Sequence, residues 1–411
     1  MKIKVLIVLL TCFILTSRAT GQSLNIFKIS DLENIKTSFQ KDEKFKKEVN
    51  DLKTIANKAI ENMPYTITKY KAPHTDDATI NDYYSDSPYW WPVEGDLDAP
   101  YFRKDGIRNP DRFMDHKNEA SNFYKGIMAL VYYSYLTDDY SFTGKINEML
   151  RVWFVDETTK MNPNLKYSQL IRNRTKKRGV GIIDGRRFAV LLEAVSLLKE
   201  RNKIDNDVYD GIKSWYSDYL SWLTTSYYGL DEKQRGNNHS TWWAVQVAAA
   251  SSFLNNEKEL TNINAYAREF LLDNQIDENA RQPLEEVRTK SLSYSSFNVN
   301  AHSFLNAVLL SREIDNWNYT NKNGKKLVDV IDYLIPFMND PSKWELEEIG
   351  TISNSHTIFL GISGLKLNNQ NYLKAFAELS NYTERKLTSP SFDPIQIMLE
   401  AIIKLKLSEN E

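Results

Sequence analysis

Apolar residues recur at helical spacing along almost the whole chain, and no alternation of strand and helix patterns interrupts them. A polar-amphipathic pattern covers 25–62. Further helical patterns follow at 118–137, 142–155, 186–200, 206–226, 240–254, 262–273, 291–313, 326–338, 354–365, 371–380 and 393–406. They come as pairs joined by short polar links, which predicts an all-α architecture, either an α/α toroid or a helical solenoid. No sequence-identical repeat of fixed period appears, which speaks against a repeat array. Gly (15) and Pro (12) are scarce in 411 residues, whereas a many-stranded fold needs turn residues every few positions. No shift of composition marks a domain boundary, so one domain is expected over 22–411.

The N-terminus reads as a separate segment. Lys2 and Lys4 precede an apolar run from Val5 to Leu15, and Ala19-Thr20-Gly21 offers a cleavage site before Gln22. The run is too short to span a bilayer, so 1–21 is expected to be a secretory signal peptide and the mature chain periplasmic or secreted. Cys12 as a lipoprotein cysteine is the lesser alternative, because Phe13-Ile14-Leu15 continue the apolar run after it. A single Cys excludes a disulfide framework and any Cys-based zinc site. Removing the segment takes three cations and no acid, moving the net charge from -2 to about -5. A mildly acidic chain is a poor nucleic-acid binder, and no second apolar stretch reaches membrane-spanning length.

One stretch, 71–112, breaks the helical pattern. It is rich in Asp, Pro, Tyr and Trp, and a loop of that length inside a compact domain is usually functional. Its centre reads Asp82-Tyr83-Tyr84-Ser85-Asp86-Ser87-Pro88-Tyr89-Trp90-Trp91-Pro92. Sugar rings have apolar C–H faces that stack on aromatic side chains, so Tyr89, Trp90 and Trp91 are candidate sugar platforms. The plain alternative is a loop pinned to the body by its aromatics.

Three other segments are candidates for chemistry. Asn237-Asn238-His239-Ser240-Thr241-Trp242-Trp243 turns abruptly into Ala244-Val245-Gln246-Val247-Ala248. Asn, Ser and Thr begin helices, so His239 lies at a helix N-terminus, where the dipole favours a neutral ring able to accept a proton. The alternative is that Asn238 and His239 only cap the helix. Arg288 and Tyr294 flank the start of an apolar helix. On an unbroken helix they would stand about 120° apart, so either Arg288 precedes the helix with Ser291 as its cap, or the two do not act together. Tyr294 alone would pass for a core-edge tyrosine. Finally, 172–187 packs seven basic residues, Arg186 and Arg187 among them, around Asp184. Such a stretch can draw an anion into a cleft, or it can be a solvated loop. His74, His116, His239, His302 and His356 make no zinc-binding spacing, and no nucleophile elbow, phosphate loop or dinucleotide fingerprint is present.

Together, Asn237-Asn238-His239-Ser240-Thr241-Trp242-Trp243, Ser87-Pro88-Tyr89-Trp90-Trp91-Pro92, Arg103-Lys104-Asp105-Gly106-x-x-Asn109-Pro110 and Gly181-Ile182-Ile183-Asp184 resemble the alginate lyase superfamily. The order is most similar to polysaccharide lyase family thirty-eight, next to family five, over roughly 65–365. The resemblance implies an (α/α) toroid or barrel of about six to seven helix pairs, complete or incomplete, and cleavage of a polyuronate by β-elimination. It implies His239 and Tyr294 as the proton-transfer pair, with Asn238 and Arg288 on the substrate carboxylate. Family five usually has Gly after the His and a His after the Tyr; Ser240 and Ser295 depart from that.

The chemistry agrees. The C5 proton of a uronate becomes acidic only when the carboxylate charge is neutralised. A base then takes that proton, and an acid protonates O4 as it leaves. In mannuronate and glucuronate the proton and O4 lie on one side, so Tyr294 can act twice, given a depressed pKa. In guluronate they lie on opposite sides, and His239 can be the base. Substrate contacts are expected from Tyr89, Trp90, Trp91, Asn237, Arg186, Arg187 and Trp242. The expected partner is an anionic polysaccharide, alginate or a related polyuronate, met by a monomer that uses no metal or cofactor. Glucuronan is the second substrate reading. An inverting glycosidase, using two of Asp86, Asp184 and Glu285, and a non-catalytic polyuronate binder are the readings of other classes.

Overall fold

The computed structural model describes residues 24–409, apart from 76, 97, 175 and 381–392; the expected signal peptide over 1–21, with Cys12, lies outside the described residues. The first helical region is broken in two, α1 (Ile29–Lys41) and α2 (Lys46–Asn62). Then come α3 (Asp115–Thr137), α4 (Thr143–Phe154), α5 (Arg186–Glu200), α6 (Asn206–Thr225), α7 (Tyr227–Lys233), α8 (Asn238–Phe253) and α9 (Glu257–Tyr266). A wider π turn, Ala267–Leu272, carries α9 into the short α10 (Asp273–Gln275), followed by α11 (Pro283–Glu286). The chain ends with α12 (Ser291–Ser311), α13 (Leu327–Asn339), α14 (Ile358–Leu367), α15 (Gln370–Ser380) and α16 (Pro394–Ser408).

Two kinds of helix explain the layering. In α5 every residue from Phe188 to Leu198 is buried, in α8 every residue from Ser240 to Phe253, and in α16 every residue from Pro394 to Ile403. A helix apolar on all sides must be covered on all sides. Helices α1, α2, α4, α6 and α13 bury one stripe and suit an outer layer. Neighbour contacts run α3–α5–α8–α12–α14–α16, and α16 touches α3, so six inner helices close a ring. Outside it, α2 packs on α3, α4 on α3 and α6, α6 on α8, α9 on α8, α13 on α12, and α15 on α14 and α16. This is the expected toroid, with six inner helices in a closed ring.

The inner helices point their N-termini to one end. Lys117 in the first turn of α3 pairs with Asp184, just before α5. Arg186, the first residue of α5, lies over the Phe297 ring of α12. Asn300 of α12 accepts from the Phe359 N–H at the start of α14. Tyr124 of α3 donates to Asp393, the N-cap of α16. The opposite end is plugged by Leu24–Phe27, all four side chains buried. Asn25 there touches Ser252 at the end of α8, Ser311 at the end of α12 and Lys366 near the end of α14.

The 71–112 region is mostly irregular, as expected, with three short strands. Strand β1 (Tyr84–Asp86) pairs in parallel with β4 (Tyr167–Leu170), while β2 (Trp90–Trp91) pairs antiparallel with β3 (Phe102–Arg103). The β1–β4 pair ties the loop to the segment before α5, where Gly181 is obligatory: a Cβ there would stand 2.2 Å from the Ser168 carbonyl oxygen.

The plug is fastened by one carboxylate. Glu193 of α5 accepts the backbone N–H groups of Asn25, Ile26 and Phe27 at 2.7–3.1 Å. Burial pushes its pKa up and the three donors pull it back. Glu193→Ala strands these buried donors and should lower stability by about 3 kcal/mol, read as a lower urea midpoint with an unchanged slope.

Candidate active site

His239 lies in the first turn of α8, and Asn237, not Asn238 or His239, is the N-cap: its side-chain oxygen accepts the His239 N–H at 3.2 Å. The short helix α7 ends just before, and the α7–α8 turn requires Gly236 at φ +76°. Ser240 staples that turn, donating to the Glu232 carbonyl and accepting from the Gly236 N–H at 2.8 Å. The turn brings Glu232, fully buried, to 2.7 Å from His239 Nδ1. A carboxylate at Nδ1 fixes the tautomer with the proton on that nitrogen and leaves the Nε2 lone pair for a substrate.

Asn238 is buried behind a second carboxylate. Glu285 of α11 accepts its backbone N–H at 2.5 Å and its Nδ2–H at 2.7 Å. Burial raises Glu285 to about 6, and the Asn238 bonds and the Arg288 charge oppose that rise. The backbone carbonyl of Glu285 accepts the Arg288 N–H at 3.1 Å, so the turn that holds Asn238 also carries Arg288. Asn238 is 0% exposed, so the expected contact between its side chain and a substrate carboxylate is not open in this structure: its amide faces Glu285 instead.

Arg288 precedes α12, which was one of the two sequence alternatives, but Ser291 does not cap that helix. Lys290 holds the cap position, and the Ser291 hydroxyl donates to the Glu347 carbonyl at 2.6 Å. Arg288 donates to the Tyr294 hydroxyl at 2.8 Å and lies 3.8 Å from the ring centre. Its Nε and the same terminal nitrogen also hold the two Asp105 oxygens. The Tyr294 hydroxyl in turn donates to Tyr89 at 2.8 Å. The expected depression of the tyrosine is not found. Burial drives the Tyr294 phenol well above its ordinary value, Tyr89 adds to that, and Arg288 only partly offsets it. Tyr294 is thus a protonated acid at rest.

The aromatic loop and the basic stretch both reach this centre. Tyr89 touches Tyr294 directly. Trp90 and Trp91, half-buried, carry cations on their faces: Arg174 and Arg178 over Trp90 at 4.8 and 5.9 Å, and Lys104 over Trp91 at 4.3 Å. Burial and the Arg235 charge lower Arg178 to about 10, against the pull of Glu232. Arg186 lies deeper, over Phe297 at 5.6 Å, one helical turn below Tyr294. Arg187 turns to the other side, over Tyr124. Trp242 is not a platform in this structure: it is 4% exposed, packed between Phe297 and Phe304, and forms the floor beneath His239.

Asp86 and Asp184 are poor glycosidase candidates. Asp86 is bound by Arg172. Burial opposes the Asp184 charge, but Lys117 and the Ser85 and Gln169 side chains hold it at about 2. Asp184 is therefore no proton donor near neutrality. Glu232 and Asp105 were not singled out in the sequence as supports for the site. Asp105 lay within a quoted motif; Glu232 has no signal except its place seven residues before the histidine.

A family model described as alginate lyase matches residues 66–344. A crystal structure of an alginate lyase from Bacteroides ovatus superposes with a TM-score of 0.82 at 26% identity, covering 92% of this chain and 99% of that one. Alginate lyase A1-III from Sphingomonas species A1 superposes at 0.53 with 13% identity, covering 93% and 97%, which is a likeness of fold. A histidine-to-alanine variant of A1-III complexed with tetrasaccharide gives 0.55 at 13% identity, covering 93% and 97%. Comparison with curated protein sequences gives no match.

Glu232→Ala frees the imidazole to rotate and to change tautomer. It should lower kcat at least roughly tenfold with KM within about threefold of wild type, because the ring is misplaced for the reaction rather than for binding. Steady-state kinetics on the best polyuronate substrate would show it.

Proposed function

The chain belongs to the alginate lyase family, and on that premise we propose that it cleaves 1,4-linked polyuronate, alginate foremost, by β-elimination. It is a polysaccharide lyase, and its product is a 4,5-unsaturated uronate at the new non-reducing end. The observation that supports the site assignment is a chain of contacts: Glu285 holds Asn238 beside His239, and Arg288, three residues after Glu285, holds Tyr294, although His239 and Tyr294 are 55 residues apart in sequence. Of the two candidate families, thirty-eight fits better than five, because Ser240 does local work in the α7–α8 turn where family five usually has Gly.

The residues divide the reaction as follows. The N-terminal ends of the inner helices draw the uronate carboxylate and the charge that develops on it. His239 Nε2 takes the C5 proton. Tyr294, protonated at rest, gives its proton to O4 as the C4–O4 bond breaks. In the guluronate geometry these two groups act from opposite faces. In the mannuronate geometry Tyr294 must first shed its proton and then serve as base and acid in turn. Tyr89, Trp90 and Trp91 line the approach, with Arg174 and Arg178 supplying charge for neighbouring carboxylates. We also infer that 1–21 is removed on export to the periplasm or beyond, which the mass of the secreted protein would check.

The decisive experiment screens polymannuronate, polyguluronate and glucuronan for the ultraviolet absorbance of the conjugated unsaturated end. Hydrolysis or binding alone leaves no such product. Tyr294→Phe keeps the ring and removes the acid, so kcat should fall by about a thousandfold or more on every active substrate with the unfolding midpoint nearly unchanged. His239→Ala should reduce guluronate cleavage more than mannuronate cleavage, since only the opposite-face route needs a separate base. Near-wild-type turnover of Tyr294→Phe would remove Tyr294 from the mechanism.

A further inference from the structure

The resemblance assigns Arg288 to the substrate carboxylate, yet in the structure its charge is engaged elsewhere. Nε and one terminal nitrogen hold the Asp105 oxygens at 3.1 and 2.7 Å, and that same terminal nitrogen donates to Tyr294 at 2.8 Å. Asp105 also accepts from the Thr289 N–H and hydroxyl at 3.3 and 3.1 Å and from Arg103 at 2.5 Å. Two further details make this a built contact. Gly106 stands at φ +72°, and a Cβ there would come within 2.6 Å of Thr289 Oγ1, so the Asp105-Gly106 turn is seated on the α11–α12 turn without spare room. Burial opposes ionisation of Asp105, but its Arg288 bonds, with Arg103 and Thr289, hold the carboxyl well below the usual carboxylate range.

We propose that Asp105 is a positioning residue for the elimination, fixing Arg288 against the Tyr294 oxygen so that Arg288 stabilises the phenolate formed when Tyr294 protonates O4. The inference rests on the lyase reading above. The Tyr294 O–H proton passes to O4 as the C4–O4 electron pair leaves with O4. The phenolate keeps its Arg288 hydrogen bond until a proton returns to it from solvent or from the protonated His239. An arginine already held in place need not reorganise as that negative charge appears, which is the condition for strong transition-state stabilisation. An Arg288 free to swing would be drawn to the substrate carboxylate. There it would help to acidify the C5 proton but would leave the forming phenolate without a counter-charge.

The test compares the full-length enzyme with Asp105→Asn, Asp105→Glu and Thr289→Val, reading the unsaturated product. Asp105→Asn should lower kcat roughly tenfold to a hundredfold, the loss of one or two charge-assisted hydrogen bonds, while KM moves less than about threefold. Asp105→Glu should recover part of the loss. Thr289→Val removes one donor to Asp105 and leaves both charges in place; it should lower kcat by a few fold, and it carries the test should Asp105→Asn fold poorly. The penalty should shrink on a uronate with an aryl group at O4, which leaves with little help from an acid. A retained kcat with a lower KM would mean that Asp105 merely competes with substrate for Arg288, and would overturn the proposal. So would a loss confined to KM, or a penalty undiminished on the aryl substrate. A wild-type enzyme that yields no unsaturated product defeats the lyase reading instead.

Discussion

The six inner helices are buried along most of their length, and most of the structure follows from having to cover them. Each needs ring neighbours on two sides and an outer helix behind. Inner and outer helices alternate along most of the chain, so the inner ones run the same way and open their N-termini at one mouth. Each N-terminus leaves backbone N–H groups unpaired within its helix and the positive end of a dipole. With the other end plugged by Leu24–Phe27, the mouth gathers these N-termini, although the chain as a whole carries a net charge of -2. Whole-chain charge is no guide to a field built this locally.

Within that opening each reacting group has a carboxylate behind it: Glu232 behind His239, Glu285 behind Asn238 and Asp105 behind Arg288. Burying a carboxylate is costly unless donors surround it, and here the donors are the groups that need fixing. Glu285 receives two bonds from Asn238, and Asp105 receives donors from Arg288, Thr289 and Arg103. The arrangement orients the site and also tempers it. A mouth with helix dipoles and unopposed arginines would also grip the carboxylates of uronates at which no bond breaks, which lowers KM without raising kcat.

The helices and the proposed proton-transfer pair are legible in the sequence for different reasons. Helix α5 matches its expected span of 186–200, because its apolar run is bounded by charged residues at both ends. The pattern over 25–62 conceals the break at Asp42–Phe45, where an α-helix gives way to a 3₁₀ turn without a Gly or Pro to announce it. His239 stands in a motif, and Tyr294 is found only through the resemblance, by its place 55 residues after that histidine. Glu232, Glu193 and the plug are found by neither, since their meaning depends on contacts that periodicity does not encode. Trp242 shows the limit from the other side. A tryptophan within the motif invites a role in sugar stacking, but three residues after His239 on an inner helix it faces the floor and packs on Phe297.

The protonation of Tyr294 sets the two elimination geometries apart. Burial and the Tyr89 hydroxyl raise the phenol, and Arg288 lowers it by less. An acid is therefore ready in every resting molecule, with its proton directed at Tyr89. For the opposite-face geometry this is the state required: His239 Nε2 removes the C5 proton, and Tyr294 need only turn its hydrogen from Tyr89 to O4. For the same-face geometry the phenol must first lose that proton, at a cost of about 1.4 kcal/mol for each pKa unit above the ambient pH. A bound uronate carboxylate makes the loss harder, since it adds negative charge beside a forming phenolate. Arg288, held by Asp105 at the Tyr294 oxygen, is the cation placed to offset both. The contact that steadies the acid after it reacts in one geometry is thus the contact that must create the base in the other.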